Sequence, residues 1–460
     1  MKRVAVGIIG CGYWGPNLVR TFVEIGGASV RAVADRDRAR LDRVAARYPQ
    51  LRMLTEDYHD LFDARLDAVI VCTPPETHYD IVRACLERGL DVLVEKPLAT
   101  SSVHARELVD LAERNGRVLM VGHIGAYTPA ITELRSMMSL GALGDIAYID
   151  AVRVGLGLFR ANLNVVWDLA PHDIAILMYL LGEAPNSVSA RGLGCVDPSN
   201  EDVAYLTLSF PSGVLAHVRL SWLDPCKTRR VTVVGKQKMV VYDDLENLEK
   251  LKIYDKHVDA VRQTDTFGAF QFAYHYGSVL SPYIEGDEPL RLECLHFLEC
   301  VRERSTPLTD GRNGLAVVEV IEAAQQSLHK DGRRVPVAPV VEARSPQRWR
   351  PAFRTVRVDA KRVPEERPLA ERGPAERGSA GAPKPRKAHR KAVRRAERAA
   401  FNANANGNGK ANGKVSGNGN GNGNGNGKVS GNGNGKVSGN GNGKAAKAVA
   451  EVHEPVHEEV

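Results

Sequence analysis

The chain has 460 residues, a formal net charge of +7 and 43% hydrophobic residues. Of its 62 Lys and Arg, 24 lie in 339–460, against 11 of its 55 Asp and Glu, so the rest of the chain is acidic by about 6 charges. The basic balance belongs to the tail and is no sign that the remainder binds nucleic acid. The seven cysteines are scattered, odd in number and without a Cys-x-x-Cys pair. That argues against a disulfide framework and against a zinc or redox motif; a reducing, cytoplasmic setting is expected. No stretch approaches the roughly 20 apolar residues of a membrane span. Val4–Ile9 is too short for a signal-peptide core and reads as a strand.

The predicted elements alternate at first. Strand Val4–Ile9 leads through glycines to helix Asn17–Glu24, strand Val30–Ala34 and helix Ala39–Arg47. Ala68–Cys72 is a continuous apolar run, as in a strand buried on both faces. Helix Thr77–Glu87, with Gly89 past its end, precedes strand Asp91–Val94, helix Val103–Asn115 and strand Val118–Val121. Strands alternating with helices at this spacing predict a doubly wound parallel sheet.

The rhythm then changes. Pro129–Leu140 and Asp168–Leu181 read as helices. The strands Ile146–Gly155, Ser187–Leu193, Val203–Phe210, Val214–Trp222, Arg230–Val234 and Met239–Tyr242 have few helices between them. Pro211-Ser212-Gly213 is a hairpin connection. Two helices follow, Leu290–Glu303 and Asn313–Lys330. An α+β domain with a large, mostly antiparallel open sheet is expected, one face under helices and the other a natural oligomer interface.

After Val337 the apolar periodicity stops. A Pro/Arg-rich stretch passes through the basic run Lys384–Arg398 into a Gly-Asn array punctuated by Lys-Val-Ser. Such a composition buries too little apolar surface to offset its conformational entropy, so a disordered tail is expected, with no partner identifiable.

Gly10-x-Gly12-x-x-Gly15 follows a strand and opens a helix. Its glycines allow backbone to approach a pyrophosphate at a helix N-terminus. Glycine turns of this form also occur in other α/β units. Asp35, about 20 residues on, ends the second strand where an acid would bind the ribose 2′-hydroxyl. Its charge repels a 2′-phosphate and favours NAD, although Arg36 and Arg38 could soften that preference. Glu95-Lys96-Pro97 sits just beyond a parallel strand, where open α/β sheets bind ligands. Lys96 can donate to a hydroxyl there, or be a plain loop lysine. Asp168 reads as a helix N-cap, with Pro171 in the first turn. Asp168 and His172 are spaced i, i+4 on one face, which suits proton transfer, but a capping Asp and a core His would look the same. No second His or Cys pair completes a zinc site, so no metal is expected.

These motifs together resemble the family of glucose–fructose oxidoreductase, inositol dehydrogenase and MocA. Gly10-Cys11-Gly12-Tyr13-Trp14-Gly15, Asp35, Thr73-Pro74-Pro75 with His78, Glu95-Lys96-Pro97, Gly122-His123, and Asp168 with His172 occur in the family's order. The resemblance implies an NAD-dependent oxidoreductase with a Rossmann domain over 1–123, a substrate and oligomerisation domain over 124–337 and a tail over 338–460. It implies that Lys96, Asp168 and His172 line the site of hydride transfer from a sugar carbon. Tyr13, Trp14, Arg36, Thr73, Pro74, His78 and Glu95 are expected beside the cofactor with the glycines. The runs Gly12–Arg20, Trp167–Ile174 and Ser221–Pro225 are similar to a bacterial subgroup that oxidises UDP-linked N-acetylhexosamines or their uronates at C3. That subgroup usually has Tyr-Asn-Pro after Gly-His, where this chain has Tyr127-Thr128-Pro129. Tyr127, Arg153, Arg160 and Asn164 are the candidate substrate contacts. A free-polyol or inositol dehydrogenase is the alternative, and a non-catalytic NAD-binding regulator a further one.

The tail has no aromatic residue after Phe401 and no apolar face, so it can add little to a core. A chain ending near Val341 is expected to fold, bind NAD and turn over at close to the full-length rate. Loss of fold or activity on truncation would mean that the Pro/Arg segment packs on the rest.

Overall fold

A computed structural model describes residues 3–157, 159, 163–261 and 271–338. Arg160 and the expected tail lie outside the described residues.

The first sheet is built from β1 (Val4–Ile9), β2 (Ala28–Ala34), β3 (Met53–Thr55), β4 (Ala68–Val71), β5 (Asp91–Glu95) and β6 (Leu119–Gly122). All pairs are parallel, in the order β3-β2-β1-β4-β5-β6. This is the doubly wound dinucleotide-binding order. Every residue of β1 and β4 is buried, which explains their unbroken apolar runs. The connecting helices are α1 (Gly15–Glu24), α2 (Arg38–Arg47), α3 (His78–Glu87) and α4 (Ser102–Arg114).

The chain then runs through α5 (Pro129–Ser139), β7 (Ile146–Leu156) and α6 (Val165–Leu181) into a second sheet. That sheet adds β8 (Ser187–Leu193), β9 (Val203–Ser209), β10 (Leu215–Ser221), β11 (Leu223–Gly235), β12 (Met239–Asp243), β13 (Leu251–Val261) and β14 (Gln271–Leu280). After α7 (Pro289–Glu303) and α8 (Gly311–Leu328) the short β15 (Val335–Pro336) closes one edge. The order is β14-β13-β12-β11-β7-β10-β9-β8-β15; only β10 and β7 are parallel. Gly213, at φ +88°, makes the turn between β9 and β10.

Alternation sorts the faces of this sheet. Ala204, Leu206, Leu208, Ala216, Val218 and Leu220 pack with Ile174 of α6 and Val317 of α8 in one core. The opposite face carries Tyr148, Tyr205, Leu215, His217 and Arg219; the register sets Tyr148 beside Leu215 and Tyr205 beside Arg219. Tyr148, Tyr205 and Leu215 are exposed.

Four strands escape the sequence pattern: the three-residue β3 and, in the second sheet, β13, β14 and β15. β13 and β14 carry Asp, His and Lys among their apolar residues, and β15 has only two residues. The two late helices also do more than cover the second sheet. Leu290, Phe297 and Leu298 of α7 join the core beneath β1 and α1, while α8 packs against both α4 and β8. These two helices therefore return to the first sheet and hold the two sheets together. No helix among the described residues is long and apolar enough to cross a membrane.

Candidate active site

β1 ends at Gly10, whose φ of +99° is open to glycine. A Cβ there would lie 2.6 Å from the Cys72 carbonyl oxygen, and one at Gly15 would overlap the carbonyl oxygen of Gly10. The turn is thus closed tightly against β4, and α1 starts directly on it. No side chain caps α1 and its first turn holds no acid, so the helix N-terminus is left for an anionic ligand.

Asp35, at the end of β2, is 8% exposed. One carboxylate oxygen accepts the Asp37 N–H at 2.8 Å, and the other accepts the Cys11 N–H inside the glycine turn. The same acid that faces the cleft therefore braces the phosphate loop. Arg40 Nη1 stands 3.7 Å from it. Arg38 turns away to Asp42 at 3.0 Å, so the basic neighbours of Asp35 in the cleft are Arg36 and Arg40. Arg40 went unnoticed in the sequence; its signal is its place one turn into a helix that Asp37 caps.

A cleft of about 960 Å³ runs along the carboxyl ends of the first sheet. It is lined by Gly10, Gly12, Tyr13, Trp14, Asp35, Arg36, Thr73, Pro74, Glu95, Lys96 and Asp168. A glycine turn, a buried acid after β2 and an uncapped helix end on one wall fit a dinucleotide. Gly15 supports the turn from behind. His78 does not reach the cleft: it is fully buried, with Nδ1 2.8 Å from the Pro97 carbonyl and Nε2 2.9 Å from that of Thr73. It ties two wall loops together instead of touching a ligand. Burial, the largest effect, lowers its pKa.

Lys96 follows β5, and its bond to Pro97 is cis. Its Nζ donates to the Asp168 carbonyl oxygen at 2.8 Å and lies 3.8 Å from Asp168 Oδ1. Asp168 is not the N-cap. Asn164 is, accepting the Trp167 N–H at 3.1 Å, and Pro171 falls inside α6. Helix and site both use this arrangement, because Asn164 frees the Asp168 side chain for the cleft. Asp168 Oδ2 accepts the indole N–H of buried Trp222 at 3.3 Å. Trp222 lies in the run Ser221–Pro225, and no local sequence signal marks it as the anchor of Asp168.

His172, one turn after Asp168, is half-buried and is not among the residues that line the cleft. Burial first, then the positive charges of Lys96 and Arg153, hold its pKa well below the usual imidazole range. His123, whose charge also bears on His172, is buried, with neither ring nitrogen hydrogen-bonded among the described residues, and is pushed down to about 3 by burial and then Lys96. Burial raises the Glu95 carboxyl to about 7 against the pull of Lys96. Burial, and then the charge of Glu95, also raise the carboxyl of buried Glu293 of α7.

The expected substrate contacts fare differently. Tyr127 is 1% exposed, with its hydroxyl 3.2 Å from Thr309 Oγ1, so it is core, not cleft. Arg153 is held by Asp173 through two hydrogen bonds of 2.7 and 3.1 Å. The Asn164 amide is spent on Glu201 at 2.8 Å and Gln325 at 2.7 Å, although the residue lines a second cavity of about 450 Å³. That cavity shares Glu76, Leu163 and Trp167 with the main cleft.

Residues 4–123 match the NAD-binding Rossmann fold, and residues 164–337 the C-terminal alpha/beta domain, of the oxidoreductase family of glucose–fructose oxidoreductase, inositol dehydrogenase and MocA. The chain belongs to this family. It is therefore an NAD-binding oxidoreductase. Inositol 2-dehydrogenase 2 of Saccharopolyspora erythraea is 32% identical over 222 residues, 47% of this chain and 66% of that protein. UDP-N-acetylglucosamine 3-dehydrogenase of Acidithiobacillus ferrooxidans is 28% identical over 57% of this chain and 80% of that protein. A crystal structure of the latter enzyme superposes with a TM-score of 0.60 at 23% identity, covering 72% of this chain and 99% of that one, a likeness of fold.

With Asp35 facing the cleft, NAD(H) should bind at least tenfold more tightly than NADP(H), about 1.4 kcal/mol. Asp35→Ser should narrow that ratio while Arg36 and Arg40 remain. Fluorescence titration with both cofactors is the check, and equal affinities in the unaltered protein would show that the arginines cancel the carboxylate.

Proposed function

We propose that this oxidoreductase removes hydride from a secondary hydroxyl carbon of a sugar, C3 of a UDP-linked N-acetylhexosamine or its uronate. The observation that carries the reading is the contact of Lys96 with Asp168 at the wall of the dinucleotide cleft, with His172 one helical turn away. The bound nicotinamide supplies the hydride acceptor. His172 takes the hydroxyl proton, Lys96 stabilises the developing oxyanion, and Asp168, gripped by Trp222, holds Lys96 in place. Burial and neighbouring cations keep His172 neutral, which is the form a base needs. The second cavity supports a substrate larger than one ring, since it shares Glu76, Leu163 and Trp167 with the main cleft. Its acids Glu76 and Glu201 suit an uncharged ribose or base better than a diphosphate. The similarity to an inositol dehydrogenase supports the second reading, a free polyol.

NADH formation should be seen with UDP-N-acetylglucosamine or its uronate and be weaker with myo-inositol or glucose; activity on inositol alone transfers the assignment to the polyol. His172→Asn should lower kcat about 10²–10⁴-fold with NAD binding intact. Because the His172 pKa is depressed, the rate should hold as pH falls from 8 to 6.5 and drop only below that range. A near-normal rate in His172→Asn, with a rate that climbs steadily into alkaline pH, would make Lys96 the base.

The exposed Tyr148, Tyr205 and Leu215 support a second copy of this chain as the cover of the open sheet face. Sedimentation should report a dimer or larger, and Tyr205→Glu should shift it towards monomer. A monomeric unaltered protein overturns this.

A further inference from the structure

We propose that the β13–β14 hairpin binds a divalent ion of the zinc class through His257, His275 and Asp255. His257 and His275 are direct partners across the two strands. Asp255 is two residues before His257 and so shares its face. One ligand atom from each of the three lies within 4.8 Å of the others. Gly277 makes room for this grouping, since a Cβ there would stand 2.5 Å from Asp255 Oδ2.

The distances suit a shared ion. His275 Nε2 is 3.5 Å from Asp255 Oδ2. Two ligands of a tetrahedral zinc, each bonded at 2.0–2.1 Å, stand about 3.4 Å apart. His257 Nδ1 is buried without a hydrogen-bond partner among the described residues, while its Nε2 lies 3.4 Å from Asp259 Oδ2. A carboxylate near one imidazole nitrogen favours the tautomer whose other nitrogen offers its lone pair to a metal. Among the described residues no polar group offsets the cost of burying that nitrogen. Two imidazoles and one carboxylate favour a borderline ion over calcium or magnesium, which take oxygen ligands. The two rings stack, with centroids 4.6 Å apart.

Three protein ligands leave one position for water. The ion would clamp β14, the edge strand, to β13. None of the three residues lines the cofactor cleft, so the site is separate from hydride transfer.

The test is calorimetric titration of chelator-stripped, full-length protein with Zn²⁺, alongside Co²⁺ absorption. Unaltered protein should show a zinc-binding event and a tetrahedral Co²⁺ band that His257→Ala and His275→Ala each weaken at least tenfold. Asp259→Asn, which leaves all three ligands, should weaken binding about 10–100-fold. NADH titration of each variant reports whether it is folded. Unchanged zinc affinity and stoichiometry in the His257→Ala/His275→Ala double variant would overturn the site. Should the variants not fold, zinc should protect His257 and His275 of the unaltered protein from diethylpyrocarbonate, read by peptide mass. Equal modification with and without zinc would overturn it too.

Discussion

The Lys96 ammonium reaches from the end of β5 to the carbonyl and carboxylate of Asp168 on α6, and so connects the two sheets at the cleft. A cation that is mostly withdrawn from water needs partners, and it finds them on an element packed against the other sheet. That contact is supported on both sides. Asn164 caps α6, so Asp168 is not spent on the helix end, and Trp222 grips its second oxygen from just beyond β10. On the other side, His78 ties the Thr73 loop to Pro97, holding the backbone that carries Lys96.

The groups around this cation are tuned by the same shortage of water. His172 and His123 are driven towards the neutral form by burial and by the nearby positive charge. Glu95 and Glu293 are driven towards the protonated form by burial, and Glu293 also by the charge of Glu95. One fixed positive charge with neutral imidazole beside it is the electrostatic arrangement that abstraction of a hydroxyl proton calls for. Asp35 shows a similar economy at the other end of the cleft, where one carboxylate both faces the ligand space and holds the glycine turn.

The second sheet has a different logic. α7 and α8 return to the first sheet after the strands are complete, and Leu290, Phe297 and Leu298 fill the core under β1. The substrate side of the molecule is thereby fixed relative to the glycine turn by apolar burial, and the Lys96–Asp168 contact has a rigid frame to span. The outer hairpin, β13 and β14, lies at the far edge of the sheet, and its His and Asp residues have no part in the cleft.

Much of this was legible in the amino-acid order alone. The buried runs of β1 and β4, the glycine turn and the acid after β2 are local signals, each set by periodicity or by the backbone freedom of a few residues. So the parallel sheet could be read directly, whereas Lys96, Asp168 and His172 were joined as one group only by the family resemblance. What could not be read were partners distant in sequence. Asn164, and not Asp168, caps α6 because its amide is also held by Glu201 and Gln325. Tyr127 is core because Thr309 and α7 close over it, and Arg153 is committed because Asp173 is there to receive it. β13 and β14 pair at the sheet edge, where polar residues interrupt the alternation. Periodicity reports which face a residue occupies, while the choice of hydrogen-bond partner on that face is made only when the chain has brought the two groups together.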